Sequence, residues 1–375
     1  MKQQTPPALG FLDEALTEAR RRDLHRARPP LESLGLSFCS NDYLGLANRP
    51  APPAACGAGA SRLVSGDREA HARLEAASAE LVGQAAALAF SSGYAANVGL
   101  LSALAGPADL IVSDALNHAS IIDGARLSRA RTVVVPHLDV GAVARALEGP
   151  RAGRAFVVTE SYFSMDADSP DLRLLRQVAD DAGAALIVDE AHALGVLGPD
   201  GGGLCAEAGI SPDAVVGTYG KAFGAAGAFV AGCTALVDWL WNRARSFVFS
   251  TGLSPVVAEA ALDGIRRARA EPDRRSRVSQ AAAQLRRGLG ALGVQAPGFG
   301  HIVPWVIGEA AEAVELAADL RARGFDVRSI RPPSVPPGTA RLRLTVTAEH
   351  RPKDIERLLG EIESVLRQVA LWADG

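Results

Sequence analysis

The sequence predicts an α/β protein in which a parallel sheet, covered by helices on both faces, precedes a smaller α+β domain. Three observations lead there. Short apolar, β-branched runs alternate with helical patterns over the first two thirds of the 375 residues, the signature of a parallel sheet buried on both faces. Beyond about residue 256 the alternation stops and one long Ala/Arg-rich helical stretch takes over. Apolar residues make up 48% and charged residues 22%, enough for a large core and typical of a globular chain.

A helical N-terminal arm covers about 11–28. The strand-length runs are AALAF (86–90), LIV (110–112), TVVV (132–135), AFVV (155–158), AALIV (184–188), AVV (214–216) and AFVA (228–231). A helix over about 256–292 follows, then a strand HIVPWVI (301–307) and a helix in EAAEAVELAADLRARG. After the proline-rich loop 331–338 come the strand RLRLTVT (341–347) and a last helix over about 351–371. The expected organisation is an arm (1–40), a large domain (41–255) and a small domain (256–375). In parallel sheets ligands bind beyond the strand carboxyl ends, so SSGY, SDALNHAS, TESYFSMD, DEAH and GTYGK, which follow the runs, hold the candidate site.

Net charge is −3 with no basic stripe, which points away from nucleic acid and anionic membranes. No stretch of about 18 uncharged apolar residues occurs. Cys39, Cys56, Cys205 and Cys233 fit neither a zinc pattern nor a disulfide framework, so a cytoplasmic protein with small-molecule chemistry is expected.

Lysine is nearly absent: of 39 basic residues only Lys2, Lys221 and Lys353 are lysine. Lys221 lies in the uncharged, glycine-rich stretch GTYGKAFGAAG, where an amine able to form a Schiff base does what a guanidinium cannot; a chance survivor is the bland alternative. DEAH (189–192) resembles a helicase box, but no GxxxxGK[ST] loop accompanies it. Asp189 and His192 lack further metal ligands at standard spacing, and no metal is expected.

Pyridoxal phosphate needs an amine, an acid for its pyridine nitrogen, a ring to stack on and N–H donors for its phosphate. Lys221, Asp189, His118 and the Gly93–Tyr94 turn could supply them. Each has a plainer reading: a structural ion pair for Asp189, a satisfied core histidine for His118 and an ordinary turn for Gly93.

Taken together, SNDYLGL (40–46), SRLVSG (61–66), SSGYAAN (91–97), NHASIIDGAR (117–126), FSMDAD (163–168), VDEAHALGVLG (188–198), GTYGKAFG (217–224) and IRPPSVPPGTARLRLT (330–345) resemble the α-oxoamine synthase family of fold-type-I pyridoxal 5'-phosphate enzymes. The motifs run in family order from about residue 20 almost to the end. The resemblance implies a mostly parallel seven-stranded sheet and a homodimer. It makes Lys221 the Schiff-base lysine and proton-transfer base, Asp189 the pyridine-nitrogen partner, His192 the partner of the phenolic oxygen and His118 the stacking residue, which also borders the substrate. Ser164, Thr218, Gly93 and Tyr94 become cofactor contacts, and Thr251 is expected to reach the neighbouring subunit's phosphate. Arg343 is implied to hold the amino-acid carboxylate, Arg26 and Ser334 the acyl substrate, and Asn41 and His71 to lie near the substrate.

The implied reaction condenses L-alanine with a pimeloyl thioester, on coenzyme A or acyl carrier protein, releasing CO2 and thiol in biotin biosynthesis. The alternatives are relatives that take glycine or serine (2-amino-3-ketobutyrate ligase, 5-aminolevulinate synthase, serine palmitoyltransferase) or a non-catalytic partner subunit. Two departures from the family pattern stand out: a short segment between Arg28 and Phe38, and APPAAC (51–56) in place of a helix.

Overall fold

The computed structural model describes residues 6–26 and 35–373; most of the shortened segment between Arg28 and Phe38 and the end of the predicted arm lie outside the described residues. Helix α1 (Phe11–Arg21) and strand β1 (Leu36–Ser37) come first. They are followed by α2 (Glu69–Leu81), β2 (Ala86–Phe90), α3 (Gly93–Leu104), β3 (Leu110–Asp114), α4 (Ala119–Ser128), β4 (Arg131–Val135), α5 (Val140–Glu148), β5 (Ala155–Glu160), α6 (Leu172–Asp181) and β6 (Ala185–Asp189). Next are α7 (Gly203–Ala208), β7 (Ala214–Thr218), β8 (Ala228–Gly232), α8 (Thr234–Arg243), α9 (Arg245–Val248), α10 (Pro255–Ala270) and α11 (Pro272–Ala291). The chain closes with β9 (Ile302–Gly308), α12 (Ala310–Ala322), β10 (Phe325–Asp326), β11 (Ser329–Ile330), β12 (Ala340–Thr345) and α13 (Pro352–Ala373).

The chain forms two compact units, residues 41–279 with 347–349, and residues 1–40, 280–346 and 350–375. In the first, seven strands form one sheet in the order β2-β8-β7-β6-β5-β3-β4, and all seven runs read as strands from the sequence belong to it. Only β8 is antiparallel to its neighbours. The central strands β3, β5, β6 and β7 are buried along their length or nearly so, as parallel strands flanked by helices must be. Leu88, Leu100, Ile111, Phe156, Ile187 and Val230 anchor one core between sheet and helices. Helix starts are set by capping side chains: Ser92 for α3, Asp139 for α5 and Asp171 for α6 accept the orphan N–H groups of Ala95, Ala142 and Leu174.

The second unit holds the antiparallel sheet β11-β12-β9 and the short parallel pair β1-β10. The single helix expected over 256–292 is two helices, broken at Glu271–Pro272. Proline has no N–H to give, so it opens a helix readily and rarely sits inside one. No helix occurs over residues 51–60, matching the departure seen in the sequence.

Candidate active site

Neighbouring strands β3, β5, β6 and β7 end at Asp114, Glu160, Asp189 and Thr218, and Glu160 sits in register beside Asp189. The carboxyl edge of the sheet thus carries three acids. Asp189 is buried and would be costly unless satisfied. Its Oδ2 accepts from Asn97 Nδ2 at 2.7 Å, and its Oδ1 accepts from the Ala191 N–H at 2.9 Å. Lys221 lies in the loop joining β7 to β8, which is closed by Tyr219 N–H to Gly227 O (2.9 Å) and Ala225 N–H to Tyr219 O (2.9 Å). Gly224 in that loop has φ +60°, and a Cβ there would come within 2.4 Å of the Leu46 backbone. Only glycine fits, so the lysine's loop is shaped by its approach to the SNDYLGL segment.

His118 caps α4, and its backbone N–H donates to Glu160 Oε1 at 2.7 Å. Burial by surrounding protein pushes its imidazole below the usual pKa; Asp189 opposes the shift and the charge of Lys221 adds to it. Glu160 goes the other way. Burial first, then the charge of Asp189, outweigh Lys221 and lift its carboxyl to about 8. Lys221, Asp189, His118 and Glu160 therefore act on one another electrostatically, and sequence reasoning had missed Glu160. The motif TESYFSMD contained it, but nothing local marked it as buried.

At the start of α3, helix geometry leaves the Gly93 and Tyr94 N–H groups without intrahelical partners, a ready anion cradle. The exposed Tyr94 hydroxyl donates to Asp123 at 2.6 Å, which raises its pKa. Thr218 Oγ1 donates to Gly227 O at 3.0 Å and accepts from the Gly220 N–H at 3.2 Å. His192 Nδ1 lies 2.7 Å from the Tyr43 hydroxyl, which also donates to Asn41 Oδ1 at 3.0 Å. Ser164 is half-buried just beyond β5, and the exposed Thr251 forms an isolated bridge with Ser61.

His71 is fully buried; Nδ1 accepts the Arg68 N–H at 3.1 Å and Nε2 lies 2.6 Å from Leu253 O. Both ring nitrogens thus serve the fold at the start of α2.

In the other unit, Arg26 and Ser334, 308 residues apart, are brought together: Arg26 Nη2 donates to Ser334 Oγ at 3.1 Å. Arg331 reinforces this tie by donating to the carbonyls of Asp23 and His25. Arg343 is buried on β12, paired in register with Pro304.

The residues on the large sheet fit pyridoxal phosphate by their chemistry. They supply an amine, a buried carboxylate that already carries two donors, an imidazole beside them and a helix N-terminus with spare N–H groups. Sheet and site together define the class of pyridoxal-phosphate-dependent transferases, and the chain matches the aminotransferase class I and II family over residues 35–362, so it belongs to that family. Among its relatives are proteins named 8-amino-7-oxononanoate synthase. One from an Anaeromyxobacter species is 48% identical over 96% of this chain and 96% of the relative. Another, from Methylococcus capsulatus, is 45% identical over 95% of this chain and 98% of its own. Among solved structures, the serine palmitoyltransferase of Sphingomonas wittichii superposes with a TM-score of 0.89 at 30% identity, covering 98% of this chain and 100% of that one. A further serine palmitoyltransferase, solved with pyridoxal phosphate, gives 0.89 at 28% identity over 98% and 100%. The 8-amino-7-oxononanoate synthase of Francisella tularensis gives 0.76 at 26% identity over 90% and 99%.

Proposed function

We propose that this enzyme condenses L-alanine with a pimeloyl thioester, carried by coenzyme A or acyl carrier protein, to give 8-amino-7-oxononanoate, CO2 and free thiol in biotin biosynthesis. The observation that carries the reading is the 48% identity to an 8-amino-7-oxononanoate synthase over nearly the whole chain, against 30% to a serine palmitoyltransferase. The shared backbone does not separate the two, because this fold serves several substrates and only the lining of the site distinguishes them.

Bound pyridoxal phosphate supplies the electron sink that makes the amino acid's Cα proton acidic. In this reading Asp189 faces the pyridine nitrogen, His118 stacks on the ring and His192 meets the phenolic oxygen. Gly93, Tyr94 and Thr218 would line the phosphate side, and Ser164 would be a further cofactor contact. Lys221 Nζ takes the Cα proton. The Cα–acyl bond then forms as the C–S bond breaks and the thiolate leaves, taking one proton from solvent; CO2 departs, its bonding electrons staying on Cα, and the proton held by Lys221 returns there. Arg343 takes the amino-acid carboxylate, for which a two-pronged guanidinium is suited. Arg26 and Ser334, already joined, mark the acyl side, and Asn41 borders the substrate.

A homodimer, with Thr251 turned to the partner's cofactor phosphate, and a cytoplasmic location complete the proposal. Among the described residues no helix is long and apolar enough to cross a membrane. The test is a matrix of alanine, glycine and serine against pimeloyl, acetyl, succinyl and palmitoyl thioesters. The proposal expects turnover with alanine and the pimeloyl donor at least about tenfold above every other pair, and a preference for serine with the palmitoyl donor would overturn it.

A further inference from the structure

We propose that Asn97 and Ser120 are positioning residues whose hydrogen-bond polarity fixes His118 as a neutral ring protonated at Nε2, while holding one edge of the Asp189 carboxylate.

One end of this chain of bonds has a fixed polarity. An ionised carboxylate only accepts hydrogen bonds, so the atom of Asn97 that meets Asp189 Oδ2 at 2.7 Å must be its amide nitrogen. That same nitrogen lies 3.0 Å from Ser120 Oγ. Its two protons are thereby assigned, one to Asp189 and one to Ser120. Having accepted from Asn97, the Ser120 hydroxyl directs its own proton to His118 Nδ1, 2.7 Å away. A second donor, the Ser120 backbone N–H, also points to Nδ1 at 3.3 Å. With two donors aimed at it, Nδ1 is an acceptor and the ring proton resides on Nε2.

All the intermediate groups are out of water, with Asn97 at 2% and Ser120 at 0% exposure, so bulk solvent cannot re-pair them. The titratable groups facing His118 are Asp189 from β6, Glu160 from β5 and Lys221 from the β7–β8 loop, and Glu160, with its pKa lifted to about 8, holds its proton at pH 7. The lowered pKa of the ring agrees with a neutral imidazole. Keeping positive charge off His118 matters beside Lys221, because a cationic neighbour would disfavour protonation of the amine that has to accept a proton. The motifs SSGYAAN and NHAS are thus one device: each supplies half of a relay that joins the acid at the end of β6 to the ring at the start of α4.

The inference rests on the placement of His118 and Asp189 in the site but not on the substrate, and its primary readout needs neither substrate nor turnover. Histidine-labelled protein is examined by nitrogen-15 NMR with and without pyridoxal phosphate, His118 being assigned by its loss in His118→Gln. The expected result at pH 7 is a protonated Nε2 and an acceptor Nδ1. Asn97→Asp reverses the relay, since a carboxyl oxygen there accepts the Ser120 hydroxyl proton and His118 Nδ1 must become the donor. The Nδ1 signal then changes to the protonated type, and the imidazole pKa rises by about one unit or more. Ser120→Ala, the smaller change, removes the stronger donor to Nδ1 and yields a mixture of tautomers. Either variant lowers turnover roughly tenfold. A wild-type His118 carrying its proton on Nδ1, or charged at pH 7, overturns the proposal. So does an Asn97→Asp or Ser120→Ala protein whose His118 signals match the wild type; if the first variant does not fold, the second decides.

Discussion

Two histidines stand near the end of the same strand, β3, and their surroundings drive them in opposite directions. His118 meets only donors at Nδ1, and burial first, with Asp189 opposing and the charge of Lys221 adding, lowers its pKa. For His137, burial alone would lower the pKa, but Asp114 at 2.8 Å from Nδ1 and Asp168 at 3.2 Å from Nε2 overcome it and raise the value to about 10. One ring is pushed toward the neutral form beside Asp189 and Lys221; the other is a cationic clip between two carboxylates. Asp114 also accepts the N–H groups of Leu116 and Leu138, so the clip joins the end of β3 to the FSMDAD loop that carries Ser164. Burial lowers the pKa of both rings, and only at His137 do two hydrogen-bonded carboxylates outweigh it, so the carboxylate partners decide which histidine becomes a cation.

The sharpest way to break this comparison is to remove the amine from the His118 side. Lys221→Ala is expected to lower turnover by at least about a thousandfold, measured as product formed per active site, with thermal stability close to wild type. Asp189→Asn comes next, at roughly a hundredfold, because replacing a buried, fully hydrogen-bonded carboxylate leaves its cationic partner uncompensated.

On the other side, His137→Gln should spare the chemistry and cost stability in a pH-dependent way. The folded pKa of His137 lies above its unfolded value of about 6.5, so its contribution is fully present below that pH and is lost as pH rises through about 10. Denaturant unfolding at pH 6.5 and pH 10 should show wild type losing about 1–2 kcal/mol more than the variant, a figure that allows for screening of a partly exposed ring. An equal loss in both proteins would contradict the clip. Glu160 gives a test of the same sign in a lower pH window: its folded pKa is raised to about 8, so the folded state keeps a proton that the unfolded chain releases near 4.5. Stability should fall between pH 4.5 and 8, and Glu160→Gln should flatten that fall.

The smallest effect concerns Ala167, in the same FSMDAD loop. It is buried with φ +58°, a left-handed conformation that costs an alanine roughly 1 kcal/mol relative to glycine. Ala167→Gly should raise stability by up to about 1 kcal/mol, read as a shift in the denaturant midpoint.

What the sequence made legible followed from what the chain states locally. The seven strands of the large sheet are dense apolar runs with polar or glycine residues after them, and Lys221 stood out because lysine is nearly absent elsewhere. The break at Glu271–Pro272 was passed over because Pro272 opens a helix inside an otherwise unbroken Ala/Arg pattern. Two-residue strands such as β1 and β10 carry no periodicity to read. Asn97 and Ser120 lay inside quoted motifs, yet their roles depend on a bond from Asn97 to Asp189 across 92 positions, which local pattern does not encode. The backbone partners of the His71 ring, Arg68 N–H and Leu253 O, were equally illegible, the second lying 182 positions away.

The central claim, that Lys221 is the residue joined to pyridoxal phosphate, has a direct test because the chain has only three lysines. Holoenzyme is reduced with borohydride, digested and read by mass spectrometry. A pyridoxyl group is expected on the peptide containing Lys221 and on neither of those containing Lys2 or Lys353; an unmodified Lys221 peptide in fully loaded enzyme rules out the bond.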